Sequence, residues 1–256
     1  MRVSVRAATL TLLALTATAP VPAADAHEGA GLQDARSLLL EMRKAMLGTR
    51  RVKEFHSTAK AFLNTNRGRF EAQVKEWMTA DGRLRQELQL PHASLLTVWD
   101  GSRGALGQPP DTHEMSEGVQ TEVKRTLERQ PVLLASVFDD RDWKITAAGS
   151  EKVGERPCRV VEIATPNGEF RIFIDEETHL PRKESYVGIA GVSGPQPTID
   201  VLFEDWREVS GVKVPFKEKT FANGKPTQEL VRQAVEIDAG FATSLFEPPT
   251  PPSPAD

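Results

Sequence analysis

The chain of 256 residues has a single cysteine, Cys158. An intrachain disulfide is therefore excluded. Cys158 opens the apolar stretch CRVVEI, which reads as a strand, so a small buried hydrophobe is expected there rather than a reactive thiol. Long hydrophobic runs are also lacking. The longest, residues 7–19, holds 13 residues, well short of the about 20 that a membrane-spanning helix needs. Basic residues are in no excess: 32 Lys and Arg stand against 36 Asp and Glu, a net charge of −4. A nucleic-acid partner would want a basic face, so that class is excluded. Catalytic signatures are missing too: there is no HExxH, GxSxG, phosphate-cradling glycine loop or CxxC. The histidines His27, His56, His92, His113 and His179 are scattered without ligand spacing.

What is present begins with a secretion signal. Arg2 and Arg6 form a basic start, residues 7–19 an apolar stretch, and Ala24-Asp25-Ala26 supplies small residues at the −3 and −1 positions. Residues 1–26 therefore read as a signal peptide cleaved before His27, which predicts a periplasmic or secreted, non-spanning product. Its removal takes away Arg2, Arg6 and Asp25 and moves the net charge from −4 to −5. Residues 27–247 are long enough for one β domain with a sizeable core. Residues 248–256 are a Pro-rich tail, expected to be disordered or extended.

Within the domain, Leu32, Ala35, Leu38, Leu39, Met42 and Met46 recur at helical spacing, which predicts a helix over 31–47 that stops at Gly48. From Val52 the period changes to two. Residues 52–63 and 69–78 read as a hairpin whose second strand turns Phe70, Ala72 and Val74 to one face and Arg69, Glu71, Gln73 and Lys75 to the other. Leu84, Leu88 and Leu90 resume the apolar face, and 95–99 is a fourth strand. Residues 107–116 are polar with two prolines and read as a loop. A helical segment over 117–138 carries Val119, Val123 and Leu127 on one side and must break or restart at Pro131. Seven more strands are expected, at 143–148, 158–164, 169–174, 182–187, 198–206, 212–221 and 227–237. Asn167-Gly168 and Asn223-Gly224 are strong hairpin signals. The fold class is therefore mainly β (α+β): an antiparallel sheet of about eleven strands with one apolar face, which must curl and be covered by the helices.

Candidate chemistry is sparse. Asp111, His113 and Glu114 are close in sequence but read as solvated loop residues, so no functional metal is expected. The acidic pairs Asp139-Asp140 and Glu204-Asp205 and the run Asp175-Glu176-Glu177 fall mostly at turns, where acids are common. No catalytic residue and no cofactor is expected.

The run DEETHLPRKES (175–185) and the run EDWREVSGVKVPFK (204–217) resemble strand–turn–strand signatures of the LolA-like lipoprotein-carrier superfamily. That group includes outer-membrane lipoprotein-sorting proteins, LppX-type lipid carriers and RseB-type sensors. KVGERPCRVVEI before an Asn-Gly hairpin, and VWDG earlier, fit the same pattern. The resemblance implies a strongly curved half-barrel closed by helices, with an apolar cavity for acyl chains. These motifs are turns, so they carry fold before function.

The leading expectation is a non-enzymatic periplasmic carrier or sensor for a lipid or lipoprotein acyl chain. The rival is an envelope protein-binding module that uses a sheet edge or apolar groove, without lipid. A third reading is a hydrolase of unrecognised type, which a convergent cluster of titratable residues in the cavity would favour. Ile199, Val201 and Phe203 share one face of their strand, while Asp200, Leu202, Glu204 and Trp206 share the other, which the charges turn to solvent. The expected cavity lining is Phe70, Ala72, Val74, Leu84, Ile199, Val201 and Phe203.

Overall fold

The computed structural model describes residues 32–65, 68–188 and 196–249. The predicted signal peptide, its cleavage point and the end of the tail lie outside these residues, as does most of the loop at 188–197. Helix α1 (Leu32–Leu47) ends at Gly48, whose φ of 62° is the left-handed conformation that glycine adopts without strain. Strands β1 (Glu54–Thr65) and β2 (Gly68–Thr79) follow as a long hairpin, then β3 (Leu84–Leu90) and β4 (Ala93–Trp99). Strands β5 (Gly104–Gln108) and β6 (Asp111–Glu114) close the first meander. Helices α2 (Glu117–Arg129) and α3 (Pro131–Val137) lead to the second meander: β7 (Lys144–Val153), β8 (Arg156–Thr165), β9 (Gly168–Asp175), β10 (Pro181–Val187), β11 (Thr198–Val209), β12 (Val212–Ala222) and β13 (Lys225–Ile237).

All thirteen strands form one antiparallel sheet in the order β6-β5-β4-β3-β2-β1-β13-β12-β11-β10-β9-β8-β7. Laid flat, β4 and β8 would be about 40 Å apart at the usual strand spacing. Yet Trp99 of β4 and Ile163 of β8 belong to one buried cluster with α1, α2 and α3. The sheet is therefore curved around its helices, and β6 and β7 remain its open edges. Alternation builds the inner face: Phe55, Ser57, Ala59, Ala61 and Leu63 of β1 are buried while their neighbours are not. Pro131 restarts the helix as expected. It occupies the first turn of α3, and the Gln130 side chain accepts from the Leu133 N–H at 2.8 Å.

Two expectations need correction. Residues 107–116 are largely not a loop: they hold the end of β5 and the whole of β6, so the sheet has thirteen strands rather than eleven. Strand β6 is four residues long and buries only Thr112, too short a stretch for alternation to register. Trp206 does not share the solvent face of Asp200 and Glu204. Its ring packs edge-on against Phe203, 6.4 Å between centroids, and against the main core. Asp205, at φ 53°, is the cause: it drops out of the β11–β12 ladder and turns the strand at that point.

The second hairpin signal is a two-residue turn. Ala222 pairs with Lys225, and Asn223 and Gly224 have φ of 47° and 75°, the signs of a type I′ turn. A Cβ at Gly224 would meet nothing within 4 Å, so substitution is opposed by backbone conformation alone. Gly224→Val is expected to destabilise the domain by about 1 kcal/mol or more, read as a lower urea midpoint. An unchanged midpoint would reject the assignment.

Candidate functional site

Between the inner face of the sheet and α2 lies a cavity of about 300 Å³. Helix α2 presents Val119, Glu122, Val123, Thr126 and Arg129 to it, a stripe at helical spacing. Cross-strand pairing sets the sheet wall. Val74 faces Leu88, Leu88 faces Leu95, Ala61 faces Leu230, and Val201 lies between Glu184 and Thr220. One end is apolar, formed by Ala61, Leu63, Val74, Leu88, Leu95 and Leu230, with Leu95 half-buried at the rim. The other end carries charge.

Of the expected lining residues, Val74, Leu84, Ile199, Val201 and Phe203 do line the cavity. Ala72 is buried on the same face, opposite Ala61, but packs within the wall rather than lining the space. Phe70 also shares that face, opposite Leu63, yet it stands outside the cavity. It lies near the start of β2, beside the β1–β2 turn, and is 38% exposed. Asp111, His113 and Glu114 are exposed on β6, and among the described residues no three His, Cys, Asp or Glu converge as a metal site. Cys158 is fully buried against Val160 and Phe173, and burial pushes its thiol pKa up.

Sequence reasoning missed the charged end. Glu76, Glu122, Arg129, Glu184, Glu218 and Arg232 all line the cavity. Arg232 donates to Glu218 at 2.6 Å and to the Pro215 carbonyl at 2.8 Å. Arg129 donates to Glu122 at 2.9 Å, lies 4.0 Å from Glu184 and stacks 3.6 Å over the Tyr186 ring. Glu76 accepts from the Gln86 amide at 2.9 Å and from Ser57 at 3.4 Å. Burial raises the Glu76 pKa, although Arg232 opposes it. Burial likewise pushes Glu184 up to about 8, Arg129 pulling it down and Glu218 adding to the rise. Tyr186 is held at about 12 by burial. A signal for these groups existed. Glu76 continues the inward series Phe70, Ala72, Val74, and Arg232 continues Gln228 and Leu230, so alternation alone places both charges inside.

No family model and no curated protein matches the sequence. Solved structures do match in fold. A LolA superfamily protein from Nitrosomonas europaea superposes with a TM-score of 0.56 at 10% identity, over 83% of this chain and 97% of that one. The fold is LolA-like. A DUF1329 family protein from Desulfovibrio piger gives 0.58 at 11% identity, over 84% and 97%. A domain assigned to outer membrane lipoprotein sorting, from Vibrio parahaemolyticus, gives 0.56 at 10%, over 84% and 97%. The LolA-like sheet thus spans nearly the full length of each. Among the described residues, no helix is long and apolar enough to cross a membrane.

Proposed function

We propose that the protein is an exported carrier or sensor that shelters the acyl chain of a lipid or lipoprotein in the cavity between the sheet and α2. One observation carries this: a cavity of about 300 Å³ lies beside the buried core, with a wall of aliphatic side chains from β1, β2, β3, β4 and β13 at one end. Each methylene taken from water there is worth about 0.8 kcal/mol, so a chain of about ten gains about 8 kcal/mol from this term. The LolA-like fold, shared with a domain assigned to lipoprotein sorting, supports the reading.

The sheet edges favour the cavity over strand addition as the binding mode. Edge β6 has four residues, and edge β7 carries Lys144, Glu151 and Lys152 with a register shift between Ala147 and Ser150. Short, charged and irregular edges resist pairing with another chain. The charged cluster is the one observation that favours a hydrolase. Most of its groups are committed to one another, however: Arg129 to Glu122, Arg232 to Glu218, and Gln86 to Glu76. Among the described residues this leaves Glu184 alone without a hydrogen-bonding neighbour and no second group beside it set up as its acid or base partner. We therefore assign it to binding.

Delipidated mature protein is expected to take up a neutral fluorescent acyl probe. Val201 is buried and lines the cavity, so Val201→Phe should fill space there. The variant is expected to keep its fold and to bind the probe about tenfold more weakly. Absence of both probe uptake and co-purified lipid would sink the carrier reading. Destabilisation of Val201→Phe by about 1–3 kcal/mol would point instead to a filled core.

A further inference from the structure

Acidic groups outnumber basic ones at the charged end of the cavity. Four carboxyl groups, Glu76, Glu122, Glu184 and Glu218, line it with two guanidinium groups, Arg129 and Arg232, and Arg125 reaches Glu122 from outside the lining. Both arginines are engaged within the cluster, Arg232 with Glu218 and Arg129 with Glu122. Glu76 has its amide and hydroxyl donors. Glu184 is the surplus group. Its Oε1 stands 4.0 Å from Arg129, beyond hydrogen-bond length, and its Oε2 has no hydrogen-bond partner among the described residues. It is 7% exposed and lines the cavity. Glu122 Oε2 is a second buried acceptor without a hydrogen bond, held only in a 3.6 Å ion pair with Arg125.

Among the described residues, the titratable groups that line the cavity with Glu184 are Arg129 and Glu122 of α2, Tyr186 of its own strand, Glu76 of β2, Glu218 of β12 and Arg232 of β13, and of these Arg129 and Glu218 act on its charge. Its cross-strand neighbours are the aliphatic Ile172 of β9 and Val201 of β11. Glu184 itself lacks a donor within hydrogen-bond reach, while Arg232 Nε, on β13, is a buried donor without a hydrogen bond among the described residues. Buried acceptors left unpaired are costly, and a charge-assisted N–H donor is the strongest remedy.

Resting on the reading of the cavity as an acyl-chain site, we propose that the Glu184 end is a headgroup subsite for a protonated amine carried on an apolar chain. The ammonium donates to Glu184 Oε2 and Glu122 Oε2, the two buried oxygens without a hydrogen bond, on either side of Arg129, and the chain extends over Leu88, Leu95 and Leu230. An anionic head meets the opposite arrangement: both arginines already hold a carboxylate, only Arg232 Nε is without a hydrogen bond, and four acidic side chains line the space. Because burial holds a proton on Glu184 near neutrality, the amine enters by displacing that proton. Amine binding therefore tightens as pH rises from about 6 to about 8, whereas a neutral head gains nothing.

The test is displacement of the neutral acyl probe from the mature protein by dodecylammonium, dodecanol and dodecyl sulfate, each below its micelle-forming concentration. Dodecylammonium is expected to compete at least about tenfold better than dodecyl sulfate at pH 8. Its advantage over dodecanol should grow from pH 6 to pH 8. Glu184→Gln, shown to be folded by circular dichroism, should bring the amine-to-sulfate ratio towards one. Glu122→Gln should reduce it in part, and carries the test if the first variant does not fold. Equal displacement by all three, stronger displacement by dodecyl sulfate, or an unchanged ratio in the variants would overturn the subsite while leaving chain binding intact. Failure of every chain to displace or bind overturns both readings.

Discussion

The wild-type protein is expected to lose stability as pH rises from 5 to 8, and Glu184→Gln to remove most of that loss. Glu184 has its pKa raised from 4.5 to about 8, with burial the main cause. In this window the folded state holds a proton that the unfolded state has released. The stabilisation is complete below the unfolded value and is lost as pH climbs through the folded one. One unit of separation corresponds to about 1.4 kcal/mol, so the loss between pH 5 and pH 8 is on the order of 3 kcal/mol. Glu76, also raised by burial, adds a slope of the same sign that survives in the variant. Urea midpoints at pH 5, 6.5 and 8 give the answer. Equal wild-type stability across the range, or a variant with the wild-type slope, would show that Glu184 is not held protonated. Below this window the sign reverses. Arg156 holds Asp175, and Arg43 holds Asp139 at about 2, so their contribution is present above the ordinary carboxylate range and lost in strong acid.

The second large effect is expected at Asp175. This carboxylate is 1% exposed and anchors the turn between β9 and β10. It accepts from Arg156 Nε and Nη2 at 2.9 and 3.1 Å, from the backbone N–H of Glu177 and Thr178 at 3.0 and 2.9 Å, and from the Thr178 hydroxyl at 3.1 Å. Asp175→Ala leaves two backbone donors and the Thr178 hydroxyl without their acceptor and Arg156 with Glu177 alone, at a cost of about 2–4 kcal/mol. Asp175→Asn keeps the volume but loses the charge and should fall between. Chemical unfolding of the three proteins decides it. A variant within about 0.5 kcal/mol of wild type would mean that the turn holds without this network.

The same run shows what the sequence made legible. DEETHLPRKES marks a turn because Asp175 and Thr178 must satisfy it, and that requirement is local in sequence. The β1–β2 hairpin was legible because Phe70, Ala72 and Val74 alternate with polar and charged neighbours along its second strand. Features that depend on distant neighbours were hidden. Trp206 looked solvent-facing until a left-handed residue beside it broke the period. Glu184 looked like part of a turn motif, and only the sheet's curvature brings it under α2 beside Arg129. Glu76 and Arg232 sit at inward positions that alternation alone gives, but nothing near either in sequence shows what it pairs with. A charge on an apolar face signals a partner from elsewhere in the chain, and the partner is what sequence spacing conceals.

The pairing of β1 with β13 has a consequence for how the molecule assembles. Each meander is a series of hairpins joined by neighbours in sequence, so each forms from short loop closures. The seam between them matches Phe55 with Ile237, a closure across most of the chain. Such closures are slow because the entropy of a long loop is lost before any contact repays it. Asp238 locks the seam's end, accepting from the backbone N–H of Lys53 and Glu54 at 2.7 and 3.0 Å. The cavity draws one wall from each side of that seam, Val74 and Leu88 from one and Val201 and Phe203 from the other. It exists only once the two wings have met, and any occupant bridging them acts as a clasp on the last step of folding.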